Sequence, residues 1–313
     1  MRATPVNCDG KIIDALTVPH GEGMPLAAVD HQRTTPVLKA MESPRLHWII
    51  PRCGKPIPGL GFGVGVRQHG SADPEEIPAT GQVNSANWSG FQSTGDSYTS
   101  VQAGWNVPAI VATCGSSCDS YSSAWVGLGP PCCAATSDLL IQDGTESDNV
   151  NGANSYVAWY EMYPYQPDIV PFPNITVNRG DSVDVVISNG GSDTALFSMA
   201  DTSNGDAYGF SQAYPSSYTL ATNALWIMER PLVNNNQDYA RLADFNVIDW
   251  VGAYATDSQG TEAPVGNWKR DFDYMYSCGN TELLAETGDI SGDDDFPVDW
   301  EGFPTGGLEA APC

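Results

Sequence analysis

The chain almost lacks histidine: its four histidines, His20, His31, His47 and His69, all lie within the first 70 of 313 residues. Histidine is the usual general base for serine and cysteine nucleophiles and the commonest metal ligand. Any enzymatic chemistry in the rest of the chain must therefore be built from carboxylates, amides and hydroxyls.

Basic residues are also few, with 13 Lys and Arg against 38 Asp and Glu and a net charge of −25. Residues 1–83 contain eight basic and eight acidic residues, so residues 84–313 carry the whole net charge, with Lys269 as their only lysine. Such a surface repels nucleic acid and anionic membranes and excludes both as partners. Its carboxylates take up protons below roughly pH 4, which favours an acidic working environment.

No apolar run is long enough to cross a membrane, and the opening sequence MRATPVNCDGKIIDALTV lacks the apolar core of a signal peptide. The rest of the chain still predicts a secreted protein. Two cysteines precede residue 84 and six follow it: Cys8, Cys53, Cys114, Cys118, Cys132, Cys133, Cys278 and Cys313. With no histidine in the body, this even count favours disulfide bonds over a metal site, and the pairing stays open.

The chain divides into two parts near residue 83. Residues 1–83 are rich in proline and glycine and have weak periodicity, and they end in the turn-forming stretch Gly70–Gln82. They are predicted to be a leader and linker. Residues 84–313 are predicted to form one large catalytic domain.

The second part is predicted to be all-β, because it contains strand patterns and no amphipathic helix of ten residues. Ser182–Ser188 alternates with Val183, Val185 and Ile187 on one face, and three further segments are predicted strands: Tyr156–Tyr163, Ala221–Glu229 and Phe296–Trp300. Many short strands separated by turns indicate an antiparallel sandwich or barrel. The acidic run Asp289–Asp295 could bind calcium, but a solvated turn before a last strand is the favoured interpretation.

Two glutamates lie on apolar faces of these strands. Period-two geometry places Glu229 with Leu225 and Ile227, and Glu161 with Trp159 and its neighbours. Desolvation there raises the pKa of a carboxyl, which suits a general acid or base. The alternative for each is a glutamate that only hydrogen-bonds to backbone.

Gln142 shares a strand face with Leu140. Its amide can donate a hydrogen bond to a developing oxyanion without carrying charge. Considered alone, it is better explained as a glutamine lining the core.

The combination of motifs resembles the eqolisins, the glutamic peptidase family. Seven segments follow the family's order and similar spacings: Val83–Gly90, Gln102–Pro108, Ala124–Leu128, Leu140–Gln142, Ala158–Pro164, Ile175–Ser182 and Asn223–Glu229. The resemblance covers roughly residues 83 to 275.

The resemblance implies an antiparallel two-sheet β-sandwich of the concanavalin A-like, lectin and glucanase type, with a cleft on the concave sheet. It implies Gln142 and Glu229 as the catalytic pair, with Trp88, Trp125 and Glu161 as cleft residues that bind substrate. In the implied mechanism Glu229 activates a water and Gln142 stabilises the oxyanion. The mechanism needs no metal and no cofactor.

The expected function is thus a secreted acid endopeptidase acting on polypeptides, with a monomer as the default state. The resemblance also gives the leader a role as a propeptide-like inhibitor that is released in acid. One alternative is a glycoside hydrolase that uses Glu161 and Glu229 as its carboxylate pair. Another is a lectin-like carbohydrate-binding sandwich in which both glutamates only hydrogen-bond sugar hydroxyls.

Overall fold

The computed structural model describes residues 68–69, 81–111, 118–130, 138–172, 174–220, 222–234, 237–303 and 308–311. Within these ranges the regular structure is strand, apart from one 3₁₀ helix, Val265–Asn267. The same ranges contain no helix with the length and apolar character needed to cross a membrane.

The strands in chain order are β1 (Gln68–His69), β2 (Gly81–Ser85), β3 (Trp88–Ser93), β4 (Tyr98–Asn106), β5 (Ser120–Gly129), β6 (Asp138–Val150), β7 (Ala153–Tyr163), β8 (Gln166–Pro171), β9 (Ser182–Gly191), β10 (Thr194–Asp201), β11 (Asp206–Ala213), β12 (Thr219–Leu220), β13 (Asn223–Glu229), β14 (Leu232–Val233), β15 (Asp238–Tyr239), β16 (Val247–Asp257), β17 (Glu262–Pro264), β18 (Arg270–Tyr276), β19 (Leu283–Thr287), β20 (Phe296–Trp300) and β21 (Glu309–Ala310).

Two sheets form the sandwich. The larger has the order β8-β7-β6-β5-β13-β3-β18-β2-β1. The smaller has the order β17-β16-β4-β9-β10-β11. Strand β16 joins them: its later residues pair with β4, and its first residues pair with β20, which is connected to β18 of the larger sheet through β19. Pairing is antiparallel except between β18 and β2 and between β6 and β12.

The main core lies between the two sheets and follows the predicted alternation. Val183, Val185 and Ile187 on β9 are all buried in it. On β13 the residues that enter this core are Ala224, Trp226 and Met228, so the alternate residues face outward. The predicted antiparallel β-sandwich is therefore confirmed.

Strand boundaries match the sequence predictions closely. Phe296–Trp300 is observed as predicted, although β21 follows it. The strand predicted from Tyr156 extends back to Ala153, and the one predicted from Ala221 begins at Asn223, with Ala221 outside the described residues. The predicted border at residue 83 falls inside β2, which pairs with β18.

The acidic run before β20 forms a turn, with Ser291 bridged to Asp295. The turn is less solvated than predicted, because Asp294 is buried and accepts a hydrogen bond from the Tyr254 hydroxyl at 3.1 Å. No group of three His, Cys, Asp or Glu among the described residues is arranged to hold a metal ion. Cys118 and Cys278 each form a disulfide bond, whereas Cys8, Cys53, Cys114, Cys132, Cys133 and Cys313 lie outside the described residues.

Candidate functional site

A second apolar cluster lies on the outer face of the larger sheet. Its members are Trp88, Trp125, Leu140, Trp159, Ile169, Leu225 and Ile227, from five neighbouring strands and β8. These residues alternate with those of the main core, so they point away from it. The same alternation places Gln142, Glu161 and Glu229 on this outer face. All five residues predicted for the site therefore share one surface of one sheet.

Glu229 is the last residue of β13 and is fully buried. Asn87 Nδ2 donates to its Oε1 at 2.7 Å, and Trp125 Nε1 donates to its Oε2 at 2.8 Å. Burial raises the pKa of Glu229 well above its usual value, while the nearby Trp88, Trp125 and Asn87 act in the opposite direction. The carboxyl is thus held in one orientation by neutral donors.

Gln142 and Glu161 form the second polar pair of the face. They are directly opposite each other on β6 and β7, and Gln142 Nε2 donates to Glu161 Oε2. Both side chains are fully buried. Burial raises the pKa of Glu161 well above its usual value; the bond from Gln142 lowers it, and the charges of Glu229 and Asp168 raise it further.

Trp125 connects the two polar groups. On β5, Gly127 lies opposite Gln142, whereas Ser123 lies opposite Glu229, so the two polar groups occupy different cross-strand rows. Trp125 lies in the row between them, and its indole nitrogen reaches Glu229. A β-carbon at Gly127 would lie 2.9 Å from Cζ3 of Trp125, so the ring spreads over that glycine toward the row of Gln142.

Trp88 and Trp125 form an aromatic wall beside Glu229. The Trp88 ring packs edge-on against Trp125 with centroids 5.2 Å apart. Gly144, opposite Trp125 on β6, leaves room for this arrangement, because a β-carbon there would lie 2.6 Å from the β-carbon of Trp125. Glycine at 127 and 144 therefore lets the indole lie flat along the sheet.

Sequence reasoning missed two further carboxyls on the same face. Glu146 and Asp148 follow Gln142 on β6 at period two and are both buried. Burial raises the pKa of Asp148 to about 7, and burial together with Asp148 raises that of Glu146 well above its usual value. The alternation that placed Gln142 would have found both, had it been continued along the strand.

Asn87 was also missed as a site residue. The sequence places it in a glycosylation motif, Asn87-Trp88-Ser89, and it gives no sign of a contact with a residue 142 positions away. In the structure Asn87 is fully buried, and its side-chain amide donates a hydrogen bond to Glu229.

The chain is similar to known proteins in both sequence and fold. Residues 86–299 match the Peptidase A4 family. The chain is 30% identical over 244 residues to Aspergillopepsin-2 of Aspergillus niger, covering 71% of this chain and 81% of that protein. It is 31% identical over 145 residues to Scytalidopepsin B of Scytalidium lignicola, covering 46% of this chain and 51% of that protein.

Among solved structures, the fold matches that of scytalido-glutamic peptidase with a transition state analog inhibitor. The TM-score is 0.57 at 23% identity, over 69% of this chain and 98% of that one. This match concerns the fold and supports the two-sheet sandwich.

Proposed function

Because the chain belongs to the peptidase A4 family, the eqolisins, and is a glutamic-type peptidase, we propose that it is a secreted acid endopeptidase in which Glu229 and Gln142 catalyse hydrolysis. Polypeptides are its substrates. The observation that supports this most strongly is the geometry of Glu229, a fully buried carboxyl held by two neutral donors on the sheet face that also carries Gln142.

Glu229 is the proposed general base and then the general acid. As a carboxylate it takes a proton from water while the water oxygen attacks the scissile carbonyl carbon. It then gives that proton to the leaving amide nitrogen. A pKa raised by burial suits both steps, since the group must be a base before attack and an acid after it.

Gln142 is the proposed oxyanion donor. Its amide nitrogen carries two N–H groups, and one of them bonds Glu161. The other is free to bond the tetrahedral oxygen, where a neutral donor fixed in a dry site needs little reorganisation. Trp88 and Trp125 supply apolar walls for the substrate chain beside Glu229.

Glu229, Gln142 and Glu161 are all fully buried, so a substrate reaches them only after the part of the chain that covers them has moved. We propose that the chain is a precursor whose leader blocks the cleft and is released in acid. The only leader residues whose pairing is described before Gly81 are Gln68 and His69, which pair with β2 at the edge of the larger sheet.

The test is proteolysis of a denatured protein at about pH 3–4, where ordinary carboxyls titrate, after acid treatment and with pepstatin present throughout. The wild type is expected to cut, and Glu229→Ala to lose about 10²–10⁴-fold in rate, the range for a general base. Equal cutting by both proteins would exclude Glu229 as the base. No cutting by either would favour the carbohydrate-active alternatives.

A further inference from the structure

The residue after Glu229 is an unusual one to bury. Arg230 is fully buried, and its guanidinium packs over the ring of Tyr239, 4.9 Å from the centroid. Its Nη2 lies 2.7 Å from Oε2 of Glu309, whose side chain is 16% exposed. A buried cation is tolerated only where its partners are well placed, so these contacts are specific features of the fold.

Arg230 also holds the segment that carries Asn87. Its backbone N–H donates to the Asn87 carbonyl at 3.0 Å, and its Nε donates to the Ala86 carbonyl at 2.6 Å. On the other side of this segment, Ser85 Oγ accepts from the N–H groups of Asn87 at 3.3 Å and Trp88 at 3.0 Å. The backbone from Ser85 to Trp88 is therefore held from both sides.

Glu309 fixes Arg230 in turn. It lies on β21, which pairs with β15 in a small third sheet together with β14. Its Oε1 accepts from the backbone N–H of Cys278 at 2.9 Å. The chain thus contains a continuous series of contacts from its C-terminal strand through Arg230 to Asn87.

We propose that Asn87 is a positioning residue for Glu229, and that Arg230 and Glu309 act as a clamp that keeps the Asn87 amide on the carboxyl. The functional consequence rests on the proposed role of Glu229. The amide donates to Oε1 and Trp125 to Oε2, so each carboxyl oxygen has one fixed neutral donor. The remaining lone pairs then have a defined direction in which to hold the attacking water.

The clamp also sets how easily Glu229 ionises. A donor that bonds a carboxylate stabilises the charged form, so losing it raises the pKa. Besides burial, the charge of Glu229 raises the pKa of Glu146 on β6 and of Glu161 on β7, so these two carboxyls are the ionisable groups coupled to it. Arg230 is the adjacent cation, directly after β13, and is paired with Glu309. None of these groups is altered by substitution of Asn87.

Two measurements test the clamp. The first is a carbon-13 NMR titration of the Glu229 carboxyl, assigned by the loss of its signal in Glu229→Gln; it works whether or not the protein cuts peptides. The second is the pH profile of kcat/KM on a peptide substrate. Asn87→Ala is expected to raise the pKa and the acidic limb by about one pH unit, as expected for one lost charge-assisted hydrogen bond, and to lower kcat more than it changes KM.

Glu309→Gln and Arg230→Lys test the second half of the proposal. Each is expected to raise the pKa of Glu229 by less than Asn87→Ala does. The double variant Asn87→Ala/Glu309→Gln is expected to raise it no further than Asn87→Ala alone, because both substitutions act through the Asn87 amide. Arg270→Lys is the matched control. Arg270 is a partly buried arginine that bonds the carbonyls of Gly266 and Trp268, and its substitution should leave the titration unchanged.

The outcomes are distinct. An unchanged Glu229 pKa in Asn87→Ala would overturn the positioning role. Additive shifts in the double variant, or lower thermal stability with no change in the titration, would overturn the clamp. Absence of peptidase activity in the wild type, together with the expected pKa shifts, would refute the proposed function and leave the positioning of Glu229 established.

Discussion

Glu229 and Glu161 lie on the same sheet face and are equally buried, yet their surroundings differ. Glu229 accepts hydrogen bonds from Asn87 and Trp125, both neutral, and neither of them is the proposed oxyanion donor. Glu161 accepts from Gln142, the proposed oxyanion donor, and charges from Glu229 and Asp168 raise its pKa further. One carboxyl is supported by donors, while the other supports a donor.

This difference separates two roles that the sequence could not separate. Burial raises the pKa of both carboxyls, and the hydrogen bonds that each accepts act in the opposite direction. What differs is the donor, because Glu161 is bonded by Gln142, whereas Glu229 is bonded by Asn87 and Trp125. We propose Glu229 as the base on this ground, and Glu161 as the residue that holds the Gln142 amide.

After Glu229→Ala, the largest expected effect comes from removing the amide donor that Glu161 holds. Gln142→Ala should lower kcat by about 10²–10³-fold with little change in KM, as for loss of one oxyanion donor. Steady-state kinetics on a peptide at acid pH measures this. If Gln142→Ala kept full activity on the peptide, Gln142 would not be the oxyanion donor.

The comparison can be sharpened with a partly buried carboxyl on the other sheet. Asp184, on the smaller sheet, has its pKa raised to about 6 by burial. Folding therefore favours its protonated form, and its contribution to stability is present below about pH 4 and lost as the pH rises through about 6. Between about pH 4 and about pH 6, ionisation of Asp184 alone should lower the free energy of unfolding by about 3 kcal/mol.

Denaturant unfolding of the wild type and Asp184→Asn from pH 3 to pH 7 measures this contribution. The variant should gain relative stability over the wild type as the pH rises, with unchanged activity at acid pH. Parallel stability curves for the two proteins would show that Asp184 ionises normally in the folded state.

A smaller effect is expected at Glu161 itself. Glu161→Leu leaves the Gln142 amide without its acceptor, and kcat should fall about 10-fold, equivalent to one lost hydrogen bond to a buried group. Glu161→Gln retains a carbonyl acceptor and should lose much less. Equal losses in the two variants would mean that Glu161 acts through its charge and would contradict the assignment of roles.

The smallest effect is expected from Trp125→Phe, which keeps the aromatic wall but removes the N–H that bonds Glu229. One of two donors is lost, so kcat should fall several-fold and the acidic limb of the pH profile should move upward by about one unit or less. A change in KM alone would show that Trp125 serves the substrate rather than the carboxyl.

Much of the fold and part of the site could be predicted from the sequence. Alternation placed Val183, Val185 and Ile187 in the core and put Glu229 with Leu225 and Ile227 on the other side of the sheet. The same rule places Glu146 and Asp148 on the face of Gln142, although neither was predicted as a site residue. Within one strand, side-chain direction is a local property of the backbone.

Relations between strands could not be predicted in this way. The sequence does not state that Gln142 and Glu161 are cross-strand partners, or that Glu229 lies in a different row with Trp125 between. Cross-strand register depends on turns and packing over the whole sheet. The parallel pairing of β2 with β18 is another such relation, because the two strands are far apart in the sequence.

The sequence by itself determined the chemistry available: a long acidic, histidine-free body whose strands carry carboxyls and an amide on apolar faces. Tertiary structure alone decided what each group does there. The Asn87 amide reaches Glu229 across 142 residues, and Glu309 reaches Arg230 from the C-terminal strand. Side-chain direction follows from the local backbone, whereas the pKa and orientation of a buried carboxyl follow from whichever donors the distant chain brings to it.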